Sequence, residues 1–366
     1  MAPDVISFAR GAPSADILPV EMVRESAQRA LRDDWARALS YGTGRGHPGL
    51  AEWIAEFEGV EPDQVMVTNG SLEAAALLFD ELLTPGDEVV VEQPSYDRTL
   101  LLLARAGAER LGVPLEADGL SISAFEELCD RHSPKLAHVI PNFHNPAGCT
   151  LSREKRFRLL ELAADNDFRI FEDDPYALVH FGSVPPESMF ENDSEGRVIY
   201  ASSFSKTVSP GIRVGYAMGP ADAIGRLAKR ASETYISPNM LAESIVWDMA
   251  RSGELAKNIA FVTEALRGRR DALAEALGKH IPDAQFVLPE GGYFLWVDMP
   301  GDVDAVAVAG ASKQLGAPIV AGPDFMIEGG NSSFRLSFAP VPAEQADEGV
   351  RRIAEALEQV RAGAAD

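Results

Sequence analysis

A chain of 366 residues exceeds the roughly 250 to 300 residues that a single hydrophobic core serves, so its length predicts a large domain with a smaller one beside it. Its 33 basic against 56 acidic side chains leave a formal charge of −23, which excludes a sequence-independent grip on nucleic acid or on an anionic membrane. Cys129 and Cys149 are the only cysteines, too few for a disulfide framework or a thiolate metal site, and the expectation is a cytoplasmic protein without a metal.

The first residues, Met-Ala-Pro-Asp-Val, lack a basic and then apolar leader, and no apolar run approaches the ~18 residues of a membrane span, so neither processing nor a membrane partner is expected. Residues 1–37 open as an arm rich in Pro and Gly, followed by a helix from Pro19 through Ala30 on which Val20, Val23 and Ala27 share a face. Ser40-Tyr41-Gly42 begins a glycine-rich turn, and a helical pattern runs from Leu50 to Phe57. From Val65 onward short β-rich runs alternate with helical ones. Strands are expected at 65–68, 88–92, 137–141, 169–172, 197–202 and 214–218, with helices through Leu83, through Ala106 and over 153–166.

That alternation implies βαβ crossovers and an α/β fold with a mostly parallel sheet flanked by helices. After Pro238 the pattern is helical to Gly278, with a stretch from Glu254 long enough to bridge two domains. Strand-like segments at 294–297, 319–321 and 334–338 and helices through Leu315 and over 343–361 then predict a smaller α+β domain. The expected division is 1–37 as arm and part of the small domain, 38–250 as the large domain, and 251–366 as the small domain.

Ligands of such sheets collect at the carboxyl ends of the strands, so the loops there are where chemistry is expected. Gly70-Ser71-Leu72 sits where a strand turns into a helix; its free N–H groups suit a phosphate, and a plain capping turn explains it equally well. Tyr96 follows Gln93-Pro94-Ser95 and either packs or stacks on a planar ring. In Pro141-Asn142-Phe143-His144-Asn145-Pro146-Ala147-Gly148, a turn by composition, Asn145 offers an amide to a phenolate-type oxygen. Asp173, within Glu172-Asp173-Asp174-Pro175-Tyr176, ends a buried strand, where a carboxylate is costly unless it meets a partner such as a pyridine nitrogen. Finally, Lys206 stands among Ser203, Ser205 and Arg213. Two hydroxyls and a forked guanidinium suit a dianion, and an amine with nearby cations is a candidate Schiff-base nucleophile.

Taken in order, Ser-Tyr-Gly, Thr-Asn-Gly-Ser, Gln-Pro-Ser-Tyr, Pro-Asn-Phe-x-Asn-Pro-x-Gly, Glu-Asp-Asp-Pro-Tyr, Ser-Phe-Ser-Lys, Pro-x-Gly-Gly-Tyr-Phe-Leu-Trp and Phe-Arg-Leu-Ser-Phe resemble the pyridoxal-phosphate-dependent aminotransferases of the aspartate-aminotransferase fold. The likeness covers almost the whole chain, and the lysine stretch is similar to the aminoadipate-type subgroup. The resemblance implies a seven-stranded-type sheet and pyridoxal 5'-phosphate as cofactor, with Lys206 as the Schiff-base lysine and proton shuttle. It makes Asp173 the partner of the pyridine nitrogen, Asn145 and Tyr176 the partners of the ring hydroxyl, and Tyr96 the stacking residue. Gly70, Ser71, Leu72, Ser203, Ser205 and Arg213 would hold the phosphate, with Tyr41 reaching it from the other subunit of a homodimer with shared active sites. Arg335 falls where the family clamps the substrate α-carboxylate, so the partners are an α-amino acid and a 2-oxo acid.

Four features depart from the family pattern. Arg10 replaces a common glycine, Leu72 a common glutamine, the segment between Phe57 and Val65 is short, and 321–325 read Ala-Gly-Pro-Asp-Phe. Arg10 either adds a second cation to the substrate pocket, which suits a donor with two carboxylates, or stays in solvent or with Asp16. Transamination is the expected reaction. Elimination, decarboxylation or cyclisation of an amino acid on the same site, or a cofactor-binding regulatory module, are the alternatives.

Overall fold

The computed structural model describes residues 4–182, 184–301 and 303–363; the first three residues of the expected arm lie outside that range. Strands β1 (Val65–Thr68), β2 (Glu88–Gln93), β3 (Glu109–Glu116), β4 (Gly119–Leu120), β5 (Leu136–Val139), β6 (Arg169–Asp173), β7 (Val198–Ser203) and β8 (Gly215–Met218) form one sheet, and β9 (Phe294–Asp298), β10 (Val320–Ala321) and β11 (Ser333–Ser337) form another. The first half of the chain carries helices α1 (Val20–Asp33), α2 (Trp35–Ala38), α3 (Pro48–Glu58), α4 (Ser71–Leu82), α5 (Asp97–Arg105), α6 (Ile122–Cys129) and α7 (Arg153–Asp165). They are followed by α8 (Met189–Asn192), α9 (Ala221–Tyr235), α10 (Met240–Arg251), α11 (Glu254–His280), α12 (Ala305–Gln314) and α13 (Ala343–Gly363).

The large sheet runs β1-β8-β7-β6-β5-β2-β3-β4. Strands β7, β6, β5, β2 and β3 are parallel, and β8 is antiparallel to both its neighbours. This is the expected mostly parallel sheet, with seven strands of four or more residues and the two-residue β4 folded back on β3 at the edge. Both faces are covered, so the strands read as apolar runs and not as an alternation. Val89 and Val91 pack with α4, α5 and α9 on one face, whereas Val90 joins Ala137, Ile170 and the α6 and α7 side chains on the other.

The antiparallel three-stranded sheet has its own core, which α11, α12 and α13 fill and to which Ile6, Phe8 and Ile17 of the arm contribute. Beyond these residues the arm changes allegiance. Arg29 of α1 pairs with Asp248 of α10 at 2.7 Å and with Glu254 at 2.8 Å. Helix α11 runs between two cores: Leu255 lies in the core under β1 and β8, and Val262, Leu266, Leu273 and Leu277 lie in the core of the small sheet.

Candidate active site

The carboxyl ends of β1, β2, β5, β6 and β7 open onto a cavity of about 320 Å³ whose lining includes Ser71, Leu72, Tyr96, Asn145, Asp173, Tyr176, Ser203, Ser205, Lys206, Arg213 and Arg335. Because β8 runs backwards, its amino end lies at the same edge, and this brings Arg213, two residues before it, into the group.

One end of the cavity is built for an anion. Ser203 Oγ donates to Ser205 Oγ at 2.9 Å, and Arg213 reaches Ser205 Oγ at 3.2 Å and the Asn69 carbonyl at 2.7 Å. Helix α4 starts here with Gly70 as its N-cap and no side chain capping it, so the amides of its first turn keep free N–H groups. Gly70 has φ +94°, and a Cβ at that position would run into the Arg213 guanidinium. Arg213 itself has φ +52°, a left-handed conformation uncommon for a branched-headed side chain.

At the other end stands a deprived carboxylate. Asp173 is buried, its Oδ1 has no hydrogen-bond partner among the described residues, and its Oδ2 lies 3.6 Å from His138 Nε2. His138 is fully buried in β5, with the Thr99 hydroxyl 3.4 Å from the same nitrogen. A buried polar atom left unpaired is expensive, and such atoms cluster where a ligand completes them.

Between the two ends lies the lysine. Lys206 Nζ donates to the Gly11 carbonyl at 3.2 Å and sits 5.2 Å from the Tyr176 ring centroid and 4.8 Å from that of Tyr293. Burial, reinforced by the Arg335 and Arg213 cations and opposed by Asp173, pushes its ammonium down to about 8, which leaves a useful fraction of neutral amine near neutrality. Burial drives the Tyr176 hydroxyl well above its ordinary range and that of Tyr96 up to about 12, so both act as protonated donors.

Arg335 comes from β11 of the small sheet. Its Nη1 donates to Asn145 Oδ1 at 3.0 Å and its Nη2 to the Ala9 carbonyl at 2.9 Å, and its buried Nε has no partner. The guanidinium carbon lies 4.3 Å from the Phe294 ring centroid and 4.6 Å from that of Phe325. Held between two rings with spare donors, it is set for a carboxylate.

Two expected residues lie elsewhere. Tyr41 is 84 % exposed and lines a separate cavity with Arg37 and Arg45. Arg10 is exposed, and among the described residues it makes no hydrogen bond or ion pair; its neighbour Gly11 lines the cavity, and Asp16 pairs with Arg269 at 2.6 Å. The sequence reading missed Asp97 and Arg98, which also line the cavity and pair at 3.4 Å, and it missed His138. A histidine inside the apolar strand Leu-Ala-His-Val was the available signal for His138. Nothing local marks Arg98.

The family model described as aminotransferase class I and II matches residues 3–353. Aromatic-amino-acid aminotransferase 1 of Thermococcus litoralis is 34 % identical over 97 % of this chain and 88 % of its own length. The 2-aminoadipate transaminase of Thermus thermophilus is 32 % identical over 97 % and 90 %. Among solved structures, the α-aminoadipate aminotransferase LysN of Thermus thermophilus, complexed with N-(5'-phosphopyridoxyl)-L-leucine, superposes with a TM-score of 0.94 at 31 % identity over 98 % of this chain and 93 % of that one.

Proposed function

Because the chain belongs to the class I and II aminotransferases, we propose which of its side chains carry the reaction and what substrates and assembly they serve. The protein is an aminotransferase that moves an amino group between an α-amino acid and a 2-oxo acid, with pyridoxal phosphate as cofactor. The residues present fit that group: the hydroxyls of Ser203 and Ser205, Arg213 and the α4 amides suit a phosphate, and the orphaned Asp173 Oδ1 suits a protonated ring nitrogen. When bound, the cofactor supplies an electron sink for the electrons left at the amino acid's Cα.

The chain's own groups do the rest. Arg335 binds the substrate α-carboxylate, which fixes how the Cα–H bond is presented. Asp173 holds a proton on the ring nitrogen, and His138 orients that carboxylate. Lys206 Nζ would carry the cofactor between turnovers and move the proton off Cα. Tyr96 would cover the ring, and Asn145 and Tyr176 would donate to its hydroxyl oxygen. The observation that carries this reading is the buried Lys206 amine, with its lowered pKa, lying between an anion cradle and an unpaired carboxylate.

The assignment of residues 38–250 to the cofactor-binding domain, and of 251–366 with part of 1–37 to a small domain, belongs to the same proposal. Its support is that Arg335 lies on β11 of the small sheet, whereas Lys206 follows β7 of the large one. We place the protein in the cytoplasm on its two cysteines; among the described residues no helix is long and apolar enough to cross a membrane. The active unit is a homodimer, in which Tyr41 of a second copy completes the phosphate site. Its support is the exposure of Trp35, Leu39 and Tyr41 on one short segment. Light scattering should give about twice the chain's 39.4 kDa; a single-chain mass with full activity overturns the shared site.

For the donor, Arg98 at the cavity wall and Arg10 beside lining Gly11 are the cations available to a second carboxylate. The test is spectroscopic. The cofactor-loaded protein is mixed with each common amino acid, and the loss of long-wavelength cofactor absorption identifies donors. Arg335→Ala should lose the response to all of them, and Arg98→Ala or Arg10→Ala only to acidic ones. A response that Arg335→Ala leaves intact would remove Arg335 from the carboxylate site.

A further inference from the structure

Asp173 turns into the first cavity, and Asp174, the next residue, turns into a second one of about 570 Å³. Its walls are acidic and aromatic: Glu58 at the end of α3, Asp174, Tyr200 and Tyr216 on the sheet side, and Glu187 and Glu191 on the α8 side. Among the described residues that line it there is no lysine or arginine, and His180 is the only group that can become a cation.

The acid at its floor is under-satisfied. Asp174 is 2 % exposed; its Oδ2 accepts from Asn142 Nδ2 at 2.6 Å, and its Oδ1 has no partner. The local compensation is shared. Asn142 spends its own oxygen on Arg156 Nη2 at 2.6 Å, and Arg156 Nη1 lies 3.8 Å from Glu172, so one guanidinium serves both Glu172 and Asp174. Glu58 Oε1 accepts the Tyr216 hydroxyl at 2.5 Å. Two buried carboxylates that share one guanidinium are costly, and a further cation in this cavity would relieve that cost.

Among the described residues no three His, Cys, Asp or Glu side chains converge to hold a metal ion. Two tyrosine rings beside buried acids instead suit an organic cation, which gains from ring faces as well as from carboxylates. We propose that this second cavity binds an aliphatic diammonium ion, with one ammonium on Asp174 Oδ1 and the other towards the rim acid Glu191, since Glu187 already pairs with Arg153 at 3.2 Å. Neither the cofactor nor the substrate reading of the first cavity is needed for it.

The charge state of the acids supplies a signature. Burial, with Glu172 and Asp173 adding, raises Asp174 to about 7 against Arg156 and Asn142, and burial raises Glu58 against its bond from Tyr216. Tyr200 faces Asp174, and Glu191 faces Glu58. A bound cation favours the ionised acid, so binding releases a proton and tightens as pH rises through about 7.

Calorimetry on the cofactor-loaded enzyme with putrescine, against 1,4-butanediol as the neutral isostere and at matched sodium chloride, tests this. One saturable site per chain is expected, roughly tenfold tighter at pH 8 than at pH 6, with butanediol silent. Asp174→Asn should weaken binding tenfold or more. Glu58→Gln, which keeps the oxygen that Tyr216 donates to, should weaken it severalfold with the cofactor absorbance unchanged. If Asp174→Asn does not fold, the Glu58→Gln loss and the pH dependence decide. Heat no greater than that of salt, affinity flat across pH 6 to 8, or Glu58→Gln binding as the parent does would each overturn the site.

Discussion

Two buried arginines reach into the same loop from opposite sides, and they differ in one respect. Arg156 is satisfied along its whole fork: Nε donates to the Leu151 carbonyl at 3.0 Å, Nη2 to Asn142 Oδ1 and the Pro141 carbonyl, and Nη1 lies 3.5 Å from the Glu187 carbonyl. Arg335 holds Asn145 Oδ1 and one carbonyl of the arm, has nothing on Nε, and rests between two aromatic faces. Both are buried, Arg156 at 2 % and Arg335 at 7 % exposure, so burial alone does not separate them. Unspent donors do. A guanidinium whose bonds are all internal holds the loop in shape, whereas one with donors left over is kept for something that arrives.

The sharpest test of the ligand-facing side is Lys206→Ala. It removes the amine that moves the proton, so turnover should fall by several orders of magnitude while the cofactor still binds through its phosphate and ring contacts; residual activity within tenfold of the parent sinks the assignment. The two arginines should then part company. Arg335→Ala is expected to lose about 3 to 5 kcal/mol of transition-state binding, read as kcat/KM, at unchanged or higher Tm. Arg156→Ala should lose about 3 to 5 kcal/mol of folding stability in a denaturant titration, because Glu172, Asp174 and Asn142 are left without their cation. Equal stability losses would erase the distinction. The smallest effect is a titration. Capture of pyridoxal phosphate by the cofactor-free protein needs neutral Lys206, so its rate should rise about tenfold per pH unit below about 8 and level off above. In Arg335→Ala the bend should move to higher pH, since a neighbouring cation that disfavours the ammonium is gone; a bend that stays in place removes Arg335 from the lysine's surroundings.

Much of this was legible in the sequence because the site is made of short strings at strand ends. Ser203 to Lys206 and Glu172 to Tyr176 each carry several functional groups within one turn of chain, and the strand before each is an apolar run. What escaped depends on pairing across the fold. His138 matters because β5 and β6 pair so that His138 stands opposite Phe171, two residues from Asp173 on the same face. Arg98 matters because α5 begins at the cavity wall. The sequence reading also has no counterpart to strand β3, which carries Gly112 and Pro114 near the edge of the sheet. Helix α9 was missed despite a regular apolar face of Ala223, Ile224, Leu227, Ala228 and Ala231. The position of Arg10 was undecidable, since a neighbour of a lining glycine faces either the ligand or the solvent.

Helix α11 spans 27 residues, a rod of about 40 Å. Its first turn is anchored beneath the large sheet beside Gly253, which has φ +78°, and its later turns are embedded in the body that carries Arg335. Such a rod acts as a lever with its pivot at one end. Each degree of tilt moves the far end by about 0.7 Å, so a swing of a few degrees changes the gap between the carboxylate clamp and the lysine by more than a hydrogen bond tolerates. A tilt about Gly253 would therefore be magnified at the clamp by the length of one helix.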